Sequence, residues 1–487
     1  MATRTISLAA IAALSSILAA GLPALAAPQA PTSTWTASWY ASPHATWGAD
    51  FALPTGVPPV LARQTVRETA RLSVGGTRVR IVLSNRYGTQ PVHVGAARVT
   101  RVANATTVAR AVPAAHNATA GATAAASASA SAAAAAAAAP ASAAAAAAAA
   151  PAPAASSAPA AATAATAAGI PLTFGGQTAA IIAPGAPLVS DPVDLPVAAL
   201  EQLAVSVYLP QATPLATFHW GAQQTGTIEA GDTTAAPPHQ YQAQAQAQAQ
   251  VQVQVLHGRA LLAGILVQSD TGRDVVVAFG DSITDGNGST PDQDLRWPDV
   301  LAATMAQQGV AVVNAGISGA RLLGDRMGVN AAARFGPDVL DQPGVATVVV
   351  LLGINDIGWP GSAFAPDEPA MTAPRMIAAY RQLIAQARLH KVRIVGATLA
   401  PFEGALHGTP FDGYYTPAKD DVRREVNRWI LESGEFDAVA DVDAALRDPQ
   451  HRARLLARFD SGDHLHPGDA GYEAIAAAVA AALGKAD

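Results

Sequence analysis

The stretch VVVAFGDSITDGNGS, residues 275–289, joins a short apolar run to a glycine-rich turn. Its opening residues, 275–279, are all apolar, which is typical of a parallel strand that is buried on both faces. Gly280 and Asp281 end the run, so Ser282 is predicted just beyond the carboxyl end of the strand. Ligands of open α/β sheets bind at that end. On their own, however, these three residues favour a serine that caps a helix or forms a turn.

The chain after residue 273 alternates between apolar runs and longer amphipathic stretches. Buried strands are predicted at 275–279, 310–313, 347–352, 392–397 and 437–440. Helices are predicted at 295–308, 374–390, 417–432 and 469–483. This alternation favours an α/β domain over 273–487, with a parallel sheet covered by helices on both faces.

The preceding region, 33–270, shows short strands with a period of two. In residues 78–83, Val79, Ile81 and Leu83 share one face and arginines share the other. Further strands are predicted at 65–74, 92–102, 179–183, 203–209 and 261–267, with Gly and Pro residues between them. This pattern predicts an antiparallel β-sandwich domain.

Two segments of biased composition interrupt the β-sandwich domain. Residues 104–169 are mostly Ala, Ser, Thr and Pro, and predict an insertion that is either a mobile surface loop or partly helical. Residues 242–255 alternate Gln with Ala and then Val, which fits either an exposed strand or a flexible loop. Neither segment carries residues suited to catalysis.

Composition and the first residues indicate an exported protein. The net charge is -6, and no Lys/Arg-rich block is present, so we expect no nucleic-acid partner. The absence of cysteine excludes a Cys nucleophile, Cys-based zinc sites and disulfides. Residues 1–27 resemble a secretory signal peptide that ends in Ala24-Leu25-Ala26. We therefore predict a secreted or periplasmic protein with no membrane span after cleavage; a retained membrane anchor is the alternative.

Four short motifs lie where the predicted α/β domain has loops. Three follow the first three strands, and the fourth precedes the last helix. They are Gly280-Asp281-Ser282, the segment NAGISG at 314–319, the segment GIND at 353–356 and the segment DHLHP at 463–467.

In these motifs the chain resembles the GDSL or SGNH hydrolases, which are serine esterases and acylhydrolases on a flavodoxin-like sheet. The family's nucleophilic Ser, oxyanion-hole Gly and Asn, and catalytic His correspond, in that order, to Ser282, Gly319, Asn355 and His466. The resemblance covers 273–487. It is closest to exported bacterial members with an N-terminal β-domain, some of them similar to xylan-associated acetylesterases.

The chemistry of ester cleavage explains these residue types. A serine hydroxyl needs a base to remove its proton, and His466 titrates in a suitable range. Asp463, three residues earlier, is suited to hold the other ring nitrogen. The amides of Ser282 and Gly319 and the side-chain amide of Asn355 would then stabilise the oxyanion.

Some assignments within the motifs stay open. Gly316 competes with Gly319 as oxyanion donor, and His464 competes with His466 as base. The proline after His466 and its offset from Asp463 match the family and favour His466. Three acidic residues are expected to hold loops through local hydrogen bonds: Asp281, Asp285 and Asp356.

These observations predict a serine esterase that needs no cofactor and no metal. Its substrate is an ester with a short acyl group, including O-acetyl groups on polysaccharide, because no long hydrophobic lid segment is present. A lipase or thioesterase of the same family is an alternative. Several aromatic residues could line an acyl pocket or pack beneath it: Trp297, Trp359, Phe402, Tyr414 and Tyr415.

The rival from another class is a polysaccharide-binding protein with an inactive hydrolase-like domain. Its sugar-stacking residues would be tryptophans of the β-sandwich domain, which equally suit a hydrophobic core: Trp35, Trp39, Trp47 and Trp220.

Overall fold

The computed structural model describes residues 33–484 except for 49, 52, 103–168, 238–252 and 271. The predicted signal peptide, almost all of the Ala-rich insertion and most of the Gln-rich segment lie outside the described residues, so they stay predictions. Within the described part of the chain, no helix combines the length and the apolar character that crossing a membrane requires.

The region before residue 270 is built from antiparallel strands. In chain order they are β1 Thr34–Tyr40, β2 His44–Ala45, β3 Val60–Leu61, β4 Gln64–Arg71, β5 Arg78–Ser84, β6 Val92–Val94, β7 Ala96–Arg101, β8 Ile170–Pro171, β9 Ala180–Ile182, β10 Pro187–Val189, β11 Gln202–Leu209, β12 Thr213–Pro214, β13 Thr217–Phe218, β14 Gly226–Ala230, β15 Val253–Leu256 and β16 Leu262–Ser269. One sheet has the order β1-β16-β5-β10 and a larger one has the order β15-β14-β4-β11-β7-β8. Antiparallel sheets therefore precede the α/β region, as predicted.

Side-chain alternation explains how these strands pack. In β5, Val79, Ile81 and Leu83 are fully buried, while the residues between them are only half-buried. The stretch 92–102, predicted as one strand, is two, because Gly95 interrupts it. A side chain at Gly95 would come within 2.9 Å of the Tyr208 ring.

The end of the Gln-rich segment forms strand β15, which pairs with β14 from Gly226 opposite Leu256 to Glu229 opposite Val253. The alternating sequence allows either a strand or a loop, and residues 253–256 form a strand.

The region after residue 273 contains one parallel sheet. Its strands are β17 Val275–Gly280, β18 Ala311–Gly316, β19 Val345–Leu351, β20 Arg393–Ala397 and β21 Ala438–Ala440. Their spatial order is β18-β17-β19-β20-β21, and every neighbouring pair is parallel. This is the 2-1-3-4-5 order of flavodoxin-like folds, which confirms the predicted fold class.

Helices cover both faces of this sheet. They are α1 Ser282–Asp285, α2 Trp297–Met305, α3 Ala331–Phe335, α4 Ile354–Gly358, α5 Ala373–Leu389, α6 Pro417–Glu432, α7 Val442–Leu446 and α8 Asp469–Leu483. Helices α2, α7 and α8 pack together on one face, and α3, α5 and α6 pack on the other. The long helices lie where periodicity predicts them. The short ones α1, α3, α4 and α7 were not predicted, since one or two turns give no periodic pattern.

The antiparallel and parallel regions belong to one compact unit that begins at Ser33. Strand β1 runs beside β18, where Ala41 forms a bridge with Asn314. Deeper in the contact, the Arg71 guanidinium lies 3.5 Å from the Asp294 carboxylate, which is almost completely buried. Buried polar contacts of this kind tie the β-region to the edge of the sheet that carries the site.

Candidate active site

Ser282 is the first residue of helix α1, directly beyond strand β17. Asp281, rather than Ser282, caps this helix, because its Oδ1 accepts a 3.0 Å hydrogen bond from the amide of Ile283. Gly280 is required at the strand end, since a Cβ there would lie 2.0 Å from Thr284 Oγ1 and 2.5 Å from the Leu351 carbonyl oxygen. The Ser282 hydroxyl is thus left available for contacts outside its own turn.

His466 and Asp463 meet Ser282 from the loop before helix α8. His466 Nε2 lies 2.8 Å from Ser282 Oγ, and His466 Nδ1 lies 2.6 Å from Asp463 Oδ2. The second carboxylate oxygen, Asp463 Oδ1, accepts the amides of His466 at 2.8 Å and of Leu465 at 2.9 Å. One carboxylate therefore orients both the ring and the backbone of His466.

The charges of this pair reinforce each other. Burial by itself would raise the pKa of Asp463, but the attraction of His466 and the hydrogen bonds to Asp463 hold it well below its usual range. Burial by itself would lower the pKa of His466, but the Asp463 carboxylate raises it above 6.5. The imidazole is consequently a stronger base than a free histidine, and its Nε2 faces a hydroxyl.

Asn355 lies in helix α4, directly after strand β19. Its Oδ1 accepts hydrogen bonds from Trp359 Nε1 at 3.1 Å and from the Tyr414 hydroxyl at 2.8 Å. These two donors determine which end of the amide is the NH₂ group. One N–H of this group donates to the Ala320 carbonyl oxygen at 3.1 Å, and the other has no acceptor among the described residues.

The two candidate glycines differ in how their amides are used. The Gly316 amide donates to Asn314 Oδ1 at 2.8 Å. The Gly319 amide donates to no acceptor in the part of the chain that the structure describes, and neither does that of Ser282. Gly319 has a φ of +74°, and a Cβ there would lie 2.4 Å from Met327 Sδ. The structure therefore leaves Gly319, and not Gly316, with a backbone donor for a ligand.

His464 does not share the position of His466. Its ring is more than half exposed and binds the Asp460 carboxylate. Its backbone has a positive φ of 61°. Of these two histidines, His466 is the one whose ring contacts the Ser282 hydroxyl.

The acidic residues near the motifs hold backbone segments. Asp356 accepts the amides of Leu322 at 2.7 Å and Leu323 at 3.1 Å, which ties helix α4 to the loop after Gly319. Burial raises the pKa of Asp356 to about 6 and that of Asp281 to about 7. Both carboxyls are therefore less acidic than their exposed counterparts.

Sequence reasoning missed Arg334, which binds the carboxyl ends of strands β17 and β18. Its fully buried guanidinium donates to the carbonyl oxygens of Gly280 and Ala315, both at 2.8 Å, and pairs with Asp338 at 3.2 Å. The spacing of Arg334 and Asp338 suits a helical ion pair, but nothing in the sequence connects that pair with the strand ends.

Aromatic side chains pack densely beside Asn355. The Trp359 and Phe364 rings stack at 5.0 Å, and the Phe364 and Phe411 rings stack at 4.6 Å. Four of the five aromatic residues singled out from the sequence are buried beneath the surface: Trp297, Trp359, Phe402 and Tyr414. Tyr415 is half-buried and packs edge-on against the Phe402 ring at 5.1 Å.

The tryptophans of the β-region also make internal contacts. Trp39 is buried, with the Arg259 guanidinium 4.5 Å above its ring. Trp47 and Trp220 are half-buried and donate their indole N–H groups to the carbonyl oxygens of Leu53 at 2.7 Å and Pro54 at 3.1 Å.

Comparison with known proteins places this site in a family. Residues 278–474 match the model of the GDSL-like lipase/acylhydrolase family. No curated protein matches the chain.

Similar solved structures cover less than half of this chain. A putative lipolytic protein of the G-D-S-L family from Desulfitobacterium hafniense is 20% identical, with a TM-score of 0.32 over 43% of this chain and 99% of that one. A putative acylhydrolase from Bacteroides fragilis is 18% identical, with a TM-score of 0.33 over 44% of this chain and 87% of that one. The acetyl xylan esterase AlAXEase is 19% identical, with a TM-score of 0.31 over 43% of this chain and 99% of that one. The family match confirms the resemblance seen in the motifs: residues 278–474 form a GDSL-like lipase/acylhydrolase domain, and the protein is an ester-cleaving hydrolase.

Proposed function

We propose that the protein is an exported serine esterase that forms an acyl-enzyme on Ser282 and prefers short acyl groups, including O-acetyl groups on polysaccharide. The observation that carries this proposal is the pair of hydrogen bonds from Ser282 Oγ to His466 Nε2 and from His466 Nδ1 to Asp463. A nucleophile, a base and a carboxylate in that contact order are the arrangement that serine hydrolysis requires.

In the first half-reaction, His466 Nε2 accepts the hydroxyl proton while Ser282 Oγ bonds to the ester carbonyl carbon. The tetrahedral intermediate then breaks its bond to the alcohol oxygen, which takes the proton from His466. In the second half-reaction, water gives a proton to His466 and attacks the acyl carbon. Ser282 leaves with that proton, and the carboxylic acid is released.

The oxyanion of each intermediate needs donors that are not already engaged. The amides of Ser282 and Gly319 and the second N–H of Asn355 meet this condition within the described residues. A preorganised donor of this kind stabilises the transition state by about 3 to 4 kcal/mol.

Packing beside Asn355 supports a short acyl group. Trp359 and Tyr414 are 2% and 1% exposed, and both use their polar atoms to bind Asn355. They therefore fill the space beside Asn355 with packed aromatic rings. The sequence also lacks a long apolar segment of the kind that covers the site of an interfacial lipase.

Export is supported by residues 1–27, with Arg4 before an apolar stretch and Ala24-Leu25-Ala26 as a cleavage pattern. An exported esterase meets polysaccharides outside the cell, so O-acetyl groups on these polymers are the substrate class to test first.

Hydrolysis of p-nitrophenyl acetate, butyrate and palmitate tests the proposal. We expect the wild type to prefer acetate or butyrate, and Ser282→Ala and His466→Ala to lower kcat by about a thousandfold or more. His464→Ala is a matched control, since it removes a neighbouring imidazole that binds the Asp460 carboxylate instead of Ser282, and it should keep the wild-type rate.

Other outcomes contradict specific parts of the proposal. A Ser282→Ala protein with the wild-type rate rules out the nucleophile, and a preference for palmitate rules out the short acyl group. An inert wild type that sediments with insoluble acetylated xylan would instead support the polysaccharide-binding alternative.

A further inference from the structure

A buried histidine of the antiparallel region reaches the helix that carries the proposed nucleophile. His219 follows strand β13 and is 4% exposed. Its Nε2 lies 2.9 Å from Asp285 Oδ1, at the end of helix α1. Its Nδ1 lies 2.9 Å from the Ser42 carbonyl oxygen. His219 and Asp285 come from different regions of the fold, and neither belongs to the Ser282–His466–Asp463 contacts.

The hydrogen-bond chemistry requires a proton between His219 and Asp285. A carbonyl oxygen only accepts, so His219 Nδ1 carries a hydrogen and donates it to Ser42. Its Nε2 faces a carboxyl oxygen, and two bare acceptors at 2.9 Å would repel each other. A hydrogen on this line completes a hydrogen bond, which fixes the Asp285 carboxyl in one orientation.

The other oxygen of Asp285 binds the loop that carries Gly319. Asp285 Oδ2 accepts the Ser318 amide at 3.1 Å and the Ser318 hydroxyl at 2.7 Å. The next peptide bond joins Ser318 to Gly319, and its N–H is the free donor described above. Beyond Gly319, the Ala320 amide closes the turn by donating to the Ile317 carbonyl oxygen at 2.9 Å. A displaced Asp285 would therefore rotate the peptide that presents the Gly319 N–H.

The backbone of His219 is itself held firmly. Its amide donates to the Arg259 carbonyl oxygen at 2.9 Å, and the Arg259 amide donates back at 2.8 Å. Gly221 lies close to the same loop, because a Cβ there would come 3.1 Å from Ser318 Oγ. The antiparallel region therefore fixes the backbone of His219 next to the loop that contains Ser318.

We propose that His219 is a positioning residue for ester hydrolysis, which acts through Asp285 and Ser318 to orient the Gly319 amide toward the oxyanion. The inference rests on the proposed function, because it assigns the Gly319 N–H to the transition state. It gives the antiparallel region a part in catalysis without contact to the substrate.

The test compares two substitutions at position 219 in the full-length protein, with p-nitrophenyl acetate as substrate. His219→Gln keeps an N–H donor near the position of Nε2, and His219→Leu removes it while retaining bulk. We expect the leucine variant to lower kcat by about tenfold to a hundredfold with little change in KM, and the glutamine variant to stay within about fivefold of the wild type. His44→Leu is the matched packing control, because His44 is also buried and its ring lies 5.9 Å from that of His219, but it binds the Trp220 amide.

A double-mutant cycle separates positioning from general destabilisation. Ser318→Ala removes the hydroxyl bond to Asp285 but keeps the backbone amide. If His219 acts through this bond, the double variant His219→Leu/Ser318→Ala loses less kcat than the product of the two single losses. Independent, multiplicative losses overturn the proposal, as do equal rates for the leucine and glutamine variants.

The experiment stays informative if the leucine variant does not fold or if the wild type is inactive. If His219→Leu does not fold, Ser318→Ala alone tests the contact between Asp285 and Ser318. An unchanged kcat in this variant overturns the proposal. If the wild type is inert, or Ser282→Ala keeps its rate, the proposed function itself has failed. A wild type that depends on Ser282 but not on position 219 refutes only the role of His219.

Discussion

At the scale of single residues, the Asp463 carboxylate determines how strong a base His466 is. It raises the pKa of His466 against the opposing effect of burial. In the proposed mechanism, His466 accepts the Ser282 proton, which it can do only when its ring is neutral. In the wild type, kcat/KM should therefore rise with pH through a midpoint above 6.5.

The variant Asp463→Asn should lower kcat by about 10² to 10⁴, because the ring loses its orienting and stabilising charge. It should also move the midpoint of the kcat/KM profile to lower pH, since burial is then opposed only by the smaller effects of Asp281 and Asp460 on the pKa of His466. A pH profile of the residual activity between pH 4 and 9 measures both effects. A midpoint that stays in place would show that Asp463 does not set the pKa of His466.

Asn355 gives a second residue-scale prediction. Asn355→Ala should lower kcat by about 10² to 10³ with little change in KM, because the lost donor acts mainly in the transition state. Tyr414→Phe removes one of the two bonds that orient the amide and leaves the Trp359 bond, so a loss of about fivefold is expected. Steady-state kinetics on p-nitrophenyl acetate measures kcat and KM for both variants. An Asn355→Ala variant with a changed KM and an unchanged kcat would contradict the oxyanion assignment.

At the scale of elements, helix α1 is only four residues long and depends on its cap and on the strand before it. Its cap, Asp281, is buried, and burial raises its pKa from 3.8 to about 7. Between these values the folded protein keeps a proton that the unfolded chain has lost. The free energy of unfolding therefore falls as the pH rises through this window.

The variant Asp281→Asn tests this titration. Asparagine also accepts the Ile283 amide, so the cap is kept while the charge is removed. On a Ser282→Ala background, we expect the free energy of unfolding to decline less steeply from pH 4 to 7 than in the parent. Urea unfolding at pH 4, 5.5 and 7 checks this. Asp356 titrates in both proteins, so the difference between the two curves reports Asp281 and its interaction with Asp356. Parallel curves would show that Asp281 does not titrate in this range.

Periodicity explains which elements could be predicted. The parallel strands and the helices α5, α6 and α8 lie within three residues of their predicted bounds, since their apolar runs and repeats are visible in the sequence. The region 295–308 is helix α2 followed by a 3₁₀ turn at Ala306–Gln308, which Gly309 ends with a φ of 71°. Helices α1 and α4 had no comparable signal, although they carry Ser282 and Asn355.

At the scale of the whole molecule, Asp338 joins the two regions. Its carboxylate accepts the Tyr40 hydroxyl at 2.9 Å, pairs with Arg86 at 2.9 Å and pairs with Arg334 at 3.2 Å. Tyr40 and Arg86 belong to the antiparallel region, whereas Arg334 supports the ends of β17 and β18. The site therefore depends on contacts between the regions.

Asp338→Asn should reduce the free energy of unfolding by about 3 to 5 kcal/mol, because Arg334 stays buried without its counter-charge. Asp194→Asn is the control, since Asp194 pairs with Arg78 on the surface and should change stability little. Urea unfolding followed by tryptophan fluorescence compares them. Equal effects of the two substitutions would show that the buried network does not couple the regions.

The sequence by itself determined the alternation of strands and helices and the set of residues suited to ester hydrolysis. Apolar periodicity is local, and a nucleophile, a base, a carboxylate and an amide are recognised by type and order. The same local information predicted antiparallel strands before residue 270 and a parallel sheet after it.

Only the tertiary structure decided between the closest alternatives. The Gly316 amide already has an acceptor, whereas the Gly319 amide has none among the described residues. The His464 ring faces Asp460, whereas the His466 ring faces Ser282. Both properties depend on backbone angles and on partners elsewhere in the fold. The same holds for His219, which lies 66 positions from Asp285 in the chain. No sequence pattern joins residues that meet only when the antiparallel region packs against the parallel sheet.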